Sequence, residues 1–145
     1  MIKKSPRKSS DAALLRIFDA NFNRSKEAVR VCEDFSRFLM NDSALSSSFK
    51  RLRHDLTQTI LMFPMGYRKL VESRDSVNDV GRLNGIQDKK KSDWQDIMTA
   101  NLKRAEEALR VLEEISKIVN PPGSLPFLKL RFRMYELEKR SIQKF

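Results

Sequence analysis

The sequence predicts an all-α protein with four main helices, built as two tandem, pseudo-symmetric helical hairpins and separated by a long central loop. Three observations carry this. Residues 19–39, DANFNRSKEAVRVCEDFSRFL, return at 99–119 as TANLKRAEEALRVLEEISKIV, at an offset of 80 without a gap and with 9 of the 21 positions identical. A weaker match, FKRLRHDL at 49–56 against FLKLRFRM at 127–134, sets Arg53 against Arg131 at an offset of 78, so each half reads as a helix pair. Apolar residues recur at helical spacing, and no stretch shows the period of two that a half-buried strand requires.

The elements follow in order. Residues 1–10, MIKKSPRKSS, are rich in Lys and Ser and read as a disordered basic tail, leaving residues 11–145 as a single helical domain. A first helix starts at Ser10 or Asp11, either a favourable N-cap, and runs to Met40. Asn41-Asp42-Ser43 breaks it. A second helix spans Ala44–Met62, with Leu45, Phe49, Leu52, Leu56 and Ile60 at helical spacing. Pro64 and Gly66 punctuate, and a short helix is expected near Tyr67–Glu72. Residues 74–91, RDSVNDVGRLNGIQDKKK, lack a sustained period, and a loop of that length in a compact domain points to function. Ser92 to Gln95 has the spacing of a capping box and opens a helix to Val119. Asn120-Pro-Pro-Gly ends it, and a final helix follows from Leu125.

Composition sets bounds. A chain of 145 residues suits one domain that buries roughly two-thirds of its unfolded surface. No apolar run reaches the ~20 residues of a membrane span, and the opening residues lack the apolar core of a secretory signal. The single Cys32 occupies an apolar repeat position matched by Leu112. It is expected as a core thiol in a reducing cytoplasm. The net charge of +10 points to anionic partners. There is no Walker loop, since the glycines never cluster, and one Cys and one His cannot build a zinc site. His54 is expected on the surface or at the edge of the core.

The polar identities of the repeat are the candidate site: Asn21/Asn101, Arg24/Arg104, Glu27/Glu107, Arg30/Arg110 and Glu33/Glu113. With Asn21 at 0° and steps of about 100°, Arg24 falls near −60°, Ala28 near −20°, Val31 near −80°, Phe35 near −40° and Glu27 near −120°. Asn21 and Arg24 thus continue an apolar stripe, with Glu27 on its shoulder. Arg30 and Glu33 point elsewhere, as a solvated or inter-helix charge pair. The cations placed periodically in helices are Arg24, Arg53, Arg104, Arg131 and Arg133. Arginine forks favour phosphate, and carboxylates with Asn are the oxygen donors that hold Mg²⁺ beside nucleotide phosphates. The assignment is therefore Asn21, Arg24, Asn101 and Arg104 as catalytic residues, and Glu27 and Glu107 as metal ligands. Arg74, Asp75, Asp79, Gly81 and Arg131 are assigned to cofactor binding. A site rich in arginine and nearly devoid of histidine suits an acceptor that is already anionic, which needs no general base.

These motifs, AN-x-x-R-x-x-E-A-x-R-V-x-E, RD-x-x-x-DVG, AN-x-x-R-x-x-EALRVLEE and LRFRMYELEK, resemble the small, non-ribokinase hydroxymethylpyrimidine phosphate kinases of bacterial thiamine synthesis. That family occurs alone or fused ahead of thiamine phosphate synthase. The resemblance spans about residues 14–140, ends before any barrel sequence, and is to the standalone form. It implies ATP-dependent phosphorylation of hydroxymethylpyrimidine monophosphate to the diphosphate, with ATP and Mg²⁺, no membrane, and by analogy docking to the synthase. A homodimer stays open. The rival expectation is a basic helical module that binds nucleic acid or a protein without catalysis. The Lys-rich tail and loop favour it, and the placement of Asn21 and Arg24 within the helix stripe disfavours it, because backbone phosphates need exposed cations.

Overall fold

The computed structural model describes residues 6–83 and 93–145. Five α-helices account for most of them: α1 (Pro6–Phe38), α2 (Ser43–Leu61), α3 (Gly66–Ser73), α4 (Trp94–Val119) and α5 (Ser124–Ile142), with a single 3₁₀ turn at Pro121–Gly123. No described residue is in a strand. The all-α expectation holds, and the short helix after Pro64 is real. One boundary moves. Helix α1 begins at Pro6, ahead of Ser10, so residues 6–10 of the expected tail are helical. Proline fits a first turn, where its missing N–H has no helical partner to lose. Residues 1–5 and 84–92 of the tail and loop lie outside the described residues.

The caps explain the breaks. Asp42 accepts a hydrogen bond from the Leu45 amide at 2.9 Å and starts α2, and Asn41 before it turns the chain at φ 52°. Asp93, rather than Ser92 of the expected box, caps α4 by accepting from the Asp96 amide at 3.0 Å. Gly123 is required by contact: a Cβ there would lie 2.3 Å from the Phe63 ring. Phe63, Phe18 and Phe127 meet at centroid distances of 4.9, 5.9 and 5.7 Å. They tie the turn after α2 to α1 and α5, each ring adding burial and edge contacts.

Helices α1 and α4 run antiparallel. Phe35, near the end of α1, packs edge-on to Trp94 at the start of α4, while Leu14 and Leu15 share a hollow with Ile118 and Val119. The buried stripe of α1 is Phe18, Phe22, Ser25, Val29, Cys32 and Ser36; that of α4 is Met98, Leu102, Ala105, Leu109, Leu112 and Ser116. The two sets are the same positions at the repeat offset, at alternating steps of four and three, the spacing of a coiled-coil seam. This corrects the helical wheel. The core stripe is centred on the line of Phe18 and Ser36, roughly 100° from the stripe through Asn21, Arg24, Val31 and Phe35. In that second row Ala28 is buried, Val31 and Phe35 are half-buried, and Arg24, Glu27 and Phe38 are exposed. It forms the margin of the α1–α4 contact, where Ala28 and Ala108, both buried, leave room between the helices.

The repeat extends to its polar bonds. Asn21 Nδ2 donates to the Ile17 carbonyl at 2.9 Å, and Asn101 Nδ2 to that of Ile97 at 2.8 Å. Ser36 donates to the Cys32 carbonyl and Ser116 to that of Leu112. Glu33 pairs with Arg53 of α2, and Glu113 with Arg131 of α5. Each hairpin is thus pinned by the same buried carboxylate. Cys32 is fully buried, and burial pushes its thiol up to about 12, so it is a core residue.

Candidate functional site

Engagement separates the arginines. Arg53 donates to Glu33 at 2.8 Å and Arg133 to Asp55 at 2.7 Å. Arg131 is buried, with bonds of 2.8 and 3.1 Å to Glu113 and 2.9 Å to Tyr135. Its expected role at the nucleotide is corrected accordingly: its donors are already taken inside the α4–α5 hairpin. Arg24 and Arg104 make no hydrogen bond or ion pair with another described residue. The antiparallel pairing brings them, one from each repeat, into a single hollow of about 400 Å³ with Asn21, Glu107, Ala108 and Val111.

A second hollow of about 470 Å³ adjoins the first. Its lining includes Arg16, Asp19, Asn21, Asn23 and Arg24 of α1, and Arg74, Asp75, Ser76 and Asp79 of the loop after α3. Asn21 and Arg24 line both. One cleft therefore runs from the loop carboxylates, past Asn21 and Arg24, to Arg104 and Glu107. Asn21 uses its amide N–H on Ile17, which leaves its carbonyl oxygen available to accept.

The loop is shaped by its own carboxylates. Asp75 accepts from the Asn78 side chain at 2.9 Å and the Asn78 amide at 3.1 Å. These bonds, aided by Arg16, hold its carboxyl below the ordinary range. Asp79 accepts from the Gly81 amide at 2.9 Å. Arg74, at the end of α3, bonds Asp19 of α1 at 2.9 and 3.0 Å, which strengthens its hold on its proton.

Seven of the predicted residues line the cleft: Asn21, Arg24, Arg74, Asp75, Asp79, Arg104 and Glu107. The other four do not. Glu27 faces a separate hollow with Asn23, Lys26, Arg30 and Arg53, where cations surround it, so it is not paired with Glu107. Asn101 and Gly81 are not among the lining residues; Gly81 closes the turn at Asp79. Among the described residues, no three His, Cys, Asp or Glu side chains are grouped as a metal cage. Sequence reading missed Arg16 and Asp19. Arg16 was signalled by its spacing, since 16, 20 and 24 share a helix face. Asp19 was signalled by departing from the repeat, where Thr99 stands. Another hollow, about 560 Å³ between α2 and α5, is lined by Leu128, Phe132 and Leu137 and holds none of the predicted residues.

The fold and site together define the class: an all-helical, internally repeated bundle whose cleft is lined by arginines and carboxylates. Residues 16–140 match the ThiD2 family, and the chain belongs to that family. It is similar to the thiamine-phosphate synthases of Synechocystis sp. (39% identical, 90% of this chain, 36% of the relative), Nostoc punctiforme (33%, 92% and 37%) and Rhodopirellula baltica (34%, 84% and 32%). The chain spans about a third of the length of these curated relatives. The names of its relatives link the family to thiamine biosynthesis. No solved structure matches the chain. No described helix is long and apolar enough to cross a membrane.

Proposed function

We propose that this chain is a cytoplasmic, ATP-dependent kinase that converts hydroxymethylpyrimidine monophosphate to the diphosphate for thiamine biosynthesis. The observation that supports it best is the junction at Asn21 and Arg24. On one side stand Arg104 and Glu107, on the other Arg16, Asp75 and Asp79. A phosphoryl group passed between two phosphates needs cations at the transfer point and along both flanks. Arg24 holds the transferred group, Arg104 the acceptor phosphate, and Asn21 orients them. An acceptor oxygen bonds the γ-phosphorus as the bond to the leaving ADP breaks. That oxygen is anionic near neutral pH, so no base has to be supplied, and the one histidine, His54, is exposed on α2 and lines neither hollow. Asp75 and Asp79 suit Mg²⁺ delivered with the nucleotide, which takes one or two carboxylates besides phosphate oxygens. When bound, the ion neutralises charge on the nucleotide phosphates. The test is incubation with ATP, Mg²⁺ and the pyrimidine monophosphate. Diphosphate and ADP should form in equal amounts, and folded protein that forms neither refutes the reading.

A further inference from the structure

We infer that Asp19 is a positioning residue: it latches the Asp75–Asp79 loop onto the first repeat, so that the doubled helix pair builds one nucleotide site rather than two. This rests on the kinase reading for its consequence in catalysis, and on geometry for the latch itself. Asp19 is 3% exposed, although it lies on a charged stretch of α1. Its carboxylate receives both parallel N–H groups of the Arg74 fork, from 55 residues away, and Asn23 donates to it at 3.4 Å. A buried carboxylate without that partner would be costly, so the two groups hold each other. Arg74 is also where α3 stops. Its backbone turns extended (φ −67°, ψ 135°) while its amide still bonds the Val71 carbonyl. The latch therefore sets the direction in which the chain leaves α3, and the five residues that follow include Asp75 and Asp79, lining the cleft beside Asn21 and Arg24.

The second repeat lacks this device. Thr99 occupies the matching position, with no carboxylate to receive an arginine. Where the first repeat has Asn23 and Lys26, the second has Lys103 and Glu106, and these close on α5 instead: Lys103 bridges Glu106 at 3.5 Å and Glu138 at 2.9 Å. Asn21/Asn101 and Arg24/Arg104 are repeated, but the acidic loop is delivered to one of the two halves.

The experiment compares wild type with Asp19→Asn, which keeps the shape and removes the charge, and with Arg74→Lys, which keeps the charge and removes the fork. The first readout is tryptic cleavage after residue 74 relative to cleavage after Arg82 in the same digest, since trypsin must take the side chain that Asp19 holds. The ratio should rise about tenfold in Asp19→Asn, with a smaller rise in Arg74→Lys. The second is steady-state kinetics. Losing loop placement should raise KM for Mg·ATP and lower its kcat/KM by ~10²-fold, with KM for the pyrimidine monophosphate changed less than about twofold. A global loss of structure would instead reduce active protein at constant KM. An unchanged cleavage ratio in both variants overturns the latch. A raised ratio with wild-type kinetics overturns its part in the reaction. A wild type without turnover removes the kinase reading, and the cleavage ratio still decides whether Asp19 holds the loop.

Discussion

Replacing Glu113 with glutamine should destabilise the protein far more than the same change at Glu33, although both carboxylates occupy the same repeat position and pair with matching arginines. The difference comes from burial. The Arg131 and Glu113 side chains are 10% and 5% exposed, against 23% and 10% for Arg53 and Glu33. Glu113→Gln leaves a guanidinium in the interior with one neutral acceptor and Tyr135, at a cost of about 3 kcal/mol. Glu33→Gln leaves Arg53 with water at hand, at a cost of about 1 kcal/mol. For a domain of this size each kcal/mol moves the midpoint by about 2–4 °C. Thermal unfolding followed by circular dichroism should therefore show a drop of roughly 6–12 °C for Glu113→Gln and roughly 2–4 °C for Glu33→Gln. The double variant Glu113→Leu, Arg131→Met removes both charges and should recover most of the loss, with KM for ATP unchanged. Equal losses at the two sites, or a larger one at Glu33, would refute the burial argument. A raised KM for ATP in the folded double variant would return Arg131 to the nucleotide.

Further outcomes follow from the cleft and from one buried carboxyl pair. Arg24→Ala and Arg104→Ala should each lower kcat by about 10²-fold or more with little change in unfolding midpoint, because neither side chain has a hydrogen-bond or ion-pair partner among the described residues to lose; wild-type turnover in either folded variant removes it from the site. The free pyrimidine alcohol should be a poorer acceptor than the monophosphate by ~10²-fold in kcat/KM, since Arg104 and Arg24 would face each other with one anion missing; comparable rates would show that the arginines serve ATP alone. Glu106 is buried, and desolvation, then the neighbouring Glu138 carboxyl, push it up to about 7 from 4.5. One oxygen of each carboxyl, Glu106 Oε1 and Glu138 Oε2, is buried without a partner, which a proton shared between them satisfies. The native state then holds more protons than the unfolded chain between pH 4.5 and 7, so this contribution is complete below pH 4.5 and falls as pH rises through 7. Glu106→Gln carries the donor at every pH, so it should flatten that slope and be on the order of 2 kcal/mol more stable than wild type at pH 8 by urea unfolding.

What the sequence determined by itself was the helical class, the breaks between helices and the doubling. Those are local matters: a 3.6-residue period, an Asp42 cap, a Pro-Pro-Gly stop and nine identities at one offset are readable without knowing what packs on what. The same doubling exposed Asn21, Arg24 and Arg104 as residues that a shared core does not explain. It could not say which face of α1 is buried. Two apolar rows run along that helix roughly 100° apart, and only the packing of α2, α3 and α4 selects the row through Ser25 and Cys32 and leaves Arg24 at the margin. Nor could spacing tell a ligand arginine from a structural one. Arg131 and Arg104 look alike in the chain, yet one meets Glu113 inside a hairpin while the other lines a hollow with Arg24 where the two helices run antiparallel. Asp19 and Arg74 are 55 residues apart, and Asp19 reads as one more surface charge until the fold closes the loop onto it. Partner choice between distant side chains depends on desolvation and on chain direction, and both are set by tertiary structure.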